Sequence, residues 1–178
     1  MGWYFPHGAT KKDVVEELSQ EWSNENATSS VLKKCVRGNV LWTVRERTLK
    51  DGTTLRYIGC DLLQGHREGW GYKPMDESMG PYYYSCPLPY LEMTPVANQK
   101  WREEVIKHHA QDQARKTLIR SLKERDTIVL RQGCSPRQLT LVSKKPLRGY
   151  GPYGILYKIG IKHIDVEETT KAKNAVQS

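Results

Sequence analysis

The sequence predicts an α+β protein: a small antiparallel sheet with a helix packed on it, a linking helix, and then a small basic β-barrel or meander. Three observations carry that reading. Residues 11–22 space Val14, Val15, Leu18 and Trp22 along one helical face. Residues 39–63 alternate β-favouring and polar side chains around an Asp51-Gly52 turn. Residues 126–163 hold three short β-rich runs separated by "QGCSP" and "KKPLRGYGPYG".

The elements follow in order. Thr10 with Asp13 three residues later is a helix-start signal ahead of "KKDVVEELSQEW", and the apolar stripe behind it needs a sheet to cover it. "SNENATSS" reads as a loop, and a strand is expected around Val31 to Val36 before "NVLWTVRERT" and "TLRYIGCDLL" form a hairpin. After an aromatic stretch, residues 96–125 read as a helix capped by Thr94 or Asn98, with Trp101, Val105, His108 or His109, and later Ile119 and Leu122 inward. The polar run from Gln111 to Arg115 either breaks that helix or crosses it as an exposed connector. The expected organisation is an N-terminal unit over 1–95, the linking helix over 96–125, a basic β unit over 126–165 and a flexible polar tail over 166–178.

Charge is distributed unevenly. The net charge is +8, yet residues 1–100 hold twelve basic and twelve acidic side chains, so the excess lies between Trp101 and His163. Clustered cations add their potentials within a Debye length of about 8–10 Å, which points to a polyanionic partner more than total charge does. The candidate contacts are Arg115, Lys116, Arg120 and Lys123 on the helix, and Arg137, Lys144, Lys145, Arg148, Tyr150, Tyr153 and Lys158 in the β unit. Cations hold phosphates and aromatic faces stack on unpaired bases. No helix-turn-helix, zinc-finger or RNA-recognition signature is present, so base-specific readout is not implied.

Catalytic and metal chemistry find less support. Cys86 precedes Pro87, which argues against a helix starting at Cys86 itself to make thiolate, and the histidine of a Cys/His pair would be His66, twenty residues earlier. Cys35, Cys60, His66 and Cys86 lack the paired spacing of a zinc site, and His108 and His109 point about 100° apart on a helix. "RGYGPYG" has no following Lys-Ser/Thr, and Pro152 removes an amide that a phosphate cradle needs. No catalytic residue, metal or cofactor is assigned. The four cysteines, Cys35, Cys60, Cys86 and Cys134, are expected to be reduced in a cytoplasmic setting. No run of about 20 apolar residues suggests a membrane partner, and a myristoyl group on Gly2 is not expected.

The stretch "GWGYKPMDESMGPYYYSCPLPYL", residues 69–91, fits neither helical nor strand periodicity. It is an active-site loop, a base-stacking surface or a packed lid. Asp76 and Glu77 read as turn or helix-start caps. Trp70, Tyr82 and Tyr84 read as structural, leaving Tyr72, Lys73 and Tyr83 as contact candidates.

"MGWYFPHGATKKDVVEEL", "RGNVLW", "YIGCDLL" and "WGYKPMDESMGPYYYSCPL" resemble an uncharacterised family of small proteins found in bacteriophage, prophage and plasmid sequences. The resemblance covers residues 1–95 firmly and the basic remainder more loosely. It implies a setting, a mobile genetic element in a bacterial cytoplasm, with DNA, RNA or a host defence protein as partner. It carries over no activity and no catalytic residue. The expected function is therefore non-catalytic nucleic-acid binding. The alternatives are a module that inhibits or recruits a host protein and, third, an enzyme acting on nucleic acid. The oligomeric state is left open.

Overall fold

Among the described residues, two antiparallel sheets and four α-helices form the main elements, confirming the α+β expectation. The computed structural model describes residues 3–132 and 135–177; Met1, Gly2, Gly133, Cys134 and Ser178 lie outside the described residues. In chain order the elements are β1 (Trp3–Tyr4), α1 (Lys11–Glu17), β2 (Trp22–Ser23), β3 (Ala27–Arg37), β4 (Val40–Leu49), β5 (Thr54–His66), β6 (Gly69–Lys73), α2 (Leu88–Glu92) and α3 (Gln99–Ser121). They continue with β7 (Thr127–Gln132), β8 (Ser135–Lys144), β9 (Leu147–Tyr150), β10 (Leu156–Lys158) and α4 (Val166–Gln177). Two compact units divide at His108/His109, inside α3.

The first unit is a six-stranded sheet in the order β1-β6-β5-β4-β3-β2. Thr10 starts α1 as expected: its hydroxyl accepts the Asp13 amide, and an Asp13 carboxylate oxygen accepts the Thr10 amide at 2.7 Å. The helix stops at Glu17, five residues short of the predicted stripe. Trp22 is an exposed member of β2, because β2 pairs with β3 at Ser29 and Thr28 and pulls the chain out of the helix. "SNENATSS" is correspondingly a hairpin. Asn24 Oδ1 accepts the Asn26 and Ala27 amides, and β3 begins at Ala27. Gly52 takes φ +81° in the predicted β4–β5 turn, where Asp51 accepts the Thr53 amide at 2.8 Å.

Both faces of this sheet carry a packed core. Val40, Trp42, Val44, Ile58 and Cys60 face Cys86, Tyr90, Trp101 and Val105, the core beneath α2 and the first half of α3. On the opposite face Leu41 and Leu63 meet Val14 of α1, joined by the partly buried Phe5, Leu18, Trp70 and Tyr72. Seven residues of helix cover only part of that face, and the remainder carries Thr43, Arg45, Tyr57, Gly59 and Asp61.

The 69–91 stretch is a structural clasp over most of its length. Its first five residues are β6, paired with β5 from Leu62 to His66, which corrects the reading of an irregular segment. Asp76 then caps a 3₁₀ turn at Glu77–Met79 through the Ser78 amide at 2.8 Å, and Glu77 turns inward, 1% exposed. Glu77 Oε1 accepts the Ala97 and Asn98 amides, and both its oxygens take the Arg102 guanidinium, with Nη2 at 2.8 Å from Oε2. Arg102 also donates to the carbonyls of Leu91, Thr94 and Pro95 and to the Thr94 hydroxyl. One buried guanidinium thus closes residues 77–98 onto α3, with each of its three nitrogens donating, as burial of a charge requires. Trp42 Nε1 donates to Ser85 Oγ, Trp101 Nε1 to the Tyr83 carbonyl and Arg37 to the Ser85 carbonyl, fastening the tyrosine run to the sheet.

The second unit is a four-stranded meander, β10-β9-β8-β7. α3 runs without interruption through Gln111–Arg115, and Leu118 and Leu122 pack with Ile128, Leu130, Leu139, Leu141, Leu147, Ile159 and Ile164. Residues 166–177, expected to be a flexible tail, form α4. Thr169 is fully buried, its hydroxyl accepting the Val129 amide at 2.9 Å and donating to the Val129 carbonyl, so the helix satisfies the open edge of β7.

Candidate nucleic-acid interface

Alternation along the second sheet assigns its side chains to two surfaces. Ile128, Leu130, Leu139, Leu141 and Leu147 point toward α3. Gln138, Thr140, Arg148, Tyr150, Leu156 and Lys158 point the other way and all are exposed, Tyr150 at 47% and Leu156 at 45%. Arg148 stands opposite Lys158, and Tyr150 lies between Thr140 and Leu156. Beyond them the β9–β10 hairpin tip carries Tyr153, 99% exposed with φ +63°. A fully exposed tyrosine in the left-handed region is uncommon, because neither packing nor backbone preference holds it there.

Electrostatics on this face are one-sided. No acidic residue occurs from Thr127 to Ile164, so nothing on β8, β9 or β10 neutralises the two facing cations. Like charges directly opposite across a strand pair are destabilising, which makes the Arg148/Lys158 pair a cost to the free protein that an anion removes.

The other predicted contacts are distributed differently. Lys116 and Arg120 are exposed one turn apart on α3, away from its packed stripe of Leu118 and Leu122, so the helix and sheet layers separate them from the Arg148 face. Lys123 is exposed just past the helix end, and Arg115 is half-buried with its Nη1 3.0 Å from Asp112. Lys144 donates to the Arg120 carbonyl at 3.1 Å, closing the C-terminus of α3, where a cation opposes the helix dipole. Lys145 is exposed in the β8–β9 turn. Arg137 lies with its guanidinium 5.1 Å from the Tyr157 ring, on the α3 side of the sheet. The predicted footprint is therefore two surfaces, of which the open sheet face alone combines cations with aromatic rings.

In the first unit, Tyr72 is half-buried with its ring 5.9 Å from Phe5, Tyr83 packs partly against the Trp101 core, and Lys73 is exposed at the end of β6. Tyr82 is the side chain that projects, at 88% exposure, the reverse of the expected assignment. The groups weighed for catalysis are occupied structurally: Asp76 and Glu77 hold backbone amides, and burial pushes the thiols of Cys60, to about 12, and Cys86 upward. Among the described residues no three His, Cys, Asp or Glu gather as a metal site, and no helix is long and apolar enough to cross a membrane.

The structure defines an α+β chain whose second unit offers a basic, aromatic sheet face. No protein-family model, curated protein or solved structure matches it.

Proposed function

We propose that the chain is a non-catalytic, single-strand nucleic-acid-binding accessory protein of a mobile genetic element, acting through the open face of β8–β10. The observation that carries this reading is the facing pair Arg148 and Lys158, without a carboxylate on the sheet, beside the exposed rings of Tyr150 and Tyr153. Such a face holds phosphates electrostatically and stacks bases without reading their edges. The resemblance to phage, prophage and plasmid proteins supports the setting, a bacterial cytoplasm.

Fluorescence anisotropy with a labelled single-stranded oligonucleotide across a salt series tests the proposal. Wild-type protein gives a linear log–log fall in affinity with salt. Replacing both Arg148 and Lys158 by Ala reduces the slope by about 1.4, at about 0.7 for each single-strand phosphate no longer neutralised. Tyr150→Ala and Tyr153→Ala weaken binding by about 1–3 kcal/mol each at unchanged slope. Lys116→Ala with Arg120→Ala leaves both unchanged. Binding no stronger than that of an unrelated basic protein, or a slope that survives the Arg148/Lys158 change, rejects the proposal.

A second reading has its own observation. Tyr82, Met79 and Val96 are exposed apolar side chains of the first unit, suited to docking a host protein. Tyr82→Ala abolishing capture of a host protein, with oligonucleotide affinity unaltered, would favour it.

A further inference from the structure

The uncovered part of the α1-facing sheet surface is a cavity of about 380 Å³, walled by Leu18 at the end of α1, by Tyr57 and Tyr72, and by Met75, Asp76 and Met79 after β6. Its floor is Asp61, only 4% exposed. Among the described residues, the hydrogen bond that Asp61 receives is a long 3.5 Å approach from Arg45 Nη2. Arg45 is engaged elsewhere, donating through Nε to Thr43 Oγ1 and through Nη2 to the Leu18 carbonyl at 2.9 Å. Gly59 makes this possible. A Cβ there would collide with Thr43 Oγ1 and lie 3.3 Å from Arg45 Nε, so the Thr43 hydroxyl takes the space a side chain would fill and the guanidinium lies against it.

Asp76, on the opposite wall, commits Oδ1 to Ser78 and Met79, and among the described residues nothing donates to its Oδ2. The cavity thus offers two carboxylates against one guanidinium, whose Nε and Nη2 make their shorter hydrogen bonds to Thr43 and Leu18, with tyrosine rings and methionine thioethers around them. A buried carboxylate accepts up to about four hydrogen bonds, and one long approach leaves most of that capacity open. Burial, opposed by Arg45, lifts the Asp61 carboxyl to about 6. Salt-bridging by Arg45 therefore does not compensate the desolvation of this group, and a ligand can.

We propose that this cavity binds a small organic cation with a planar amidinium or guanidinium head, paired with Asp61 and stacked against Tyr57 or Tyr72. Two parallel N–H donors match the two oxygens of a carboxylate, and the flat face of the cation suits the aromatic wall. The site belongs to the first unit and is independent of the nucleic-acid reading.

Isothermal titration of the full chain with benzamidine and with N-acetyl-arginine amide tests it, using benzyl alcohol and benzoate as neutral and anionic controls. A cation binds with Kd on the order of 1 mM or tighter at about pH 8, and both controls fail to bind. Comparable binding of the two cations identifies an arginine side chain as an acceptable source, whereas binding of benzamidine alone identifies a free small molecule; both support the site. The groups around Asp61 that bear charge or titrate are Arg45 from β4, Tyr57 and Cys60 from β5, Tyr72 from β6, Asp76 after β6 and Glu17 from α1. Protonation of Asp61 weakens binding about tenfold at about pH 5, and Asp61→Asn abolishes both binding and this pH dependence. Absence of cation binding up to about 10 mM, equal binding of benzoate, or retention of binding in a folded Asp61→Asn variant overturns the proposal.

Discussion

Asp61→Asn is expected to stabilise the first unit, and the size of the gain follows from the buried carboxyl. Moving that group from its ordinary 3.8 to about 6 disfavours its charged form in the folded chain by about 3 kcal/mol, at about 1.36 kcal/mol per tenfold change. The sign follows from proton uptake. Between 3.8 and about 6 the folded chain holds a proton that the unfolded chain has released, so stability falls as pH rises through that window and is level above it. An amide of the same shape removes the penalty. The variant is therefore more stable by up to about 3 kcal/mol at about pH 7.5, and the difference shrinks to roughly a few tenths of a kcal/mol or less below about pH 4.

Urea denaturation followed by tryptophan fluorescence reads this selectively, because Trp3, Trp22, Trp42, Trp70 and Trp101 all belong to the first unit. With a urea slope of about 1–3 kcal/mol per molar, the midpoint rises by about 1–3 M at about pH 7.5. Equal midpoints there, or a variant less stable than wild type, would mean that Arg45 and Asp61 form a net stabilising pair. That would refute the reasoning. A stabilising substitution at a cavity floor is the pattern expected where a group is retained for binding at the expense of stability.

Other substitutions probe the clasp and the strand edge. Glu77→Ala leaves the Arg102 guanidinium buried without its carboxylate and lowers stability by about 3–5 kcal/mol in the same fluorescence assay. Burial raises the Glu77 carboxyl, but the Arg102 hydrogen bonds and the Asn98 and Ala97 amides outweigh it and hold it below its ordinary 4.5. Its stabilisation is present above that value and disappears as pH falls below it, a change that acid titration of the wild type detects. Gly59→Ala forces the Thr43 hydroxyl aside, crowds Arg45 and costs about 1–3 kcal/mol of overpacking; a neutral result would mean that Thr43 and Arg45 reorient freely. Thr169→Val leaves the Val129 amide without its partner at the β7 edge, while the Val129 carbonyl keeps the Asp165 amide, at a cost of about 1–3 kcal/mol, visible as faster hydrogen exchange at Val129.

Local chemistry was legible from the sequence. Thr10 and Asp13 marked a helix start, Asp51-Gly52 a hairpin and Asp76 a turn cap, since each depends mainly on groups nearby in the chain, whereas Glu77 takes the Ala97 and Asn98 amides from 20 and 21 residues away. The Glu77–Arg102 pair was not legible because its partners lie 25 residues apart and meet only when α3 docks. Trp22 completed a helical stripe in the sequence, yet pairing with Ser29 places it in a strand, a case of sheet pairing overriding local periodicity. Residues 166–177 looked too polar to pack, and the buried Thr169 hydroxyl on the β7 edge, the packed Val166 and the Lys173 bonds to Ser121 hold them as a helix.

For the sites the division is similar. The sequence by itself determined that the second half is basic and aromatic, because charge and residue type are carried by composition. Only the tertiary structure decided which of those groups act together: strand alternation sets Arg148, Tyr150 and Lys158 on one open face, while Lys144 is bound to the end of α3. The same holds for Asp61, one residue of an ordinary strand in the sequence. Its burial beside Arg45, at the floor of a cavity beyond the end of α1, is a consequence of packing and not of any motif.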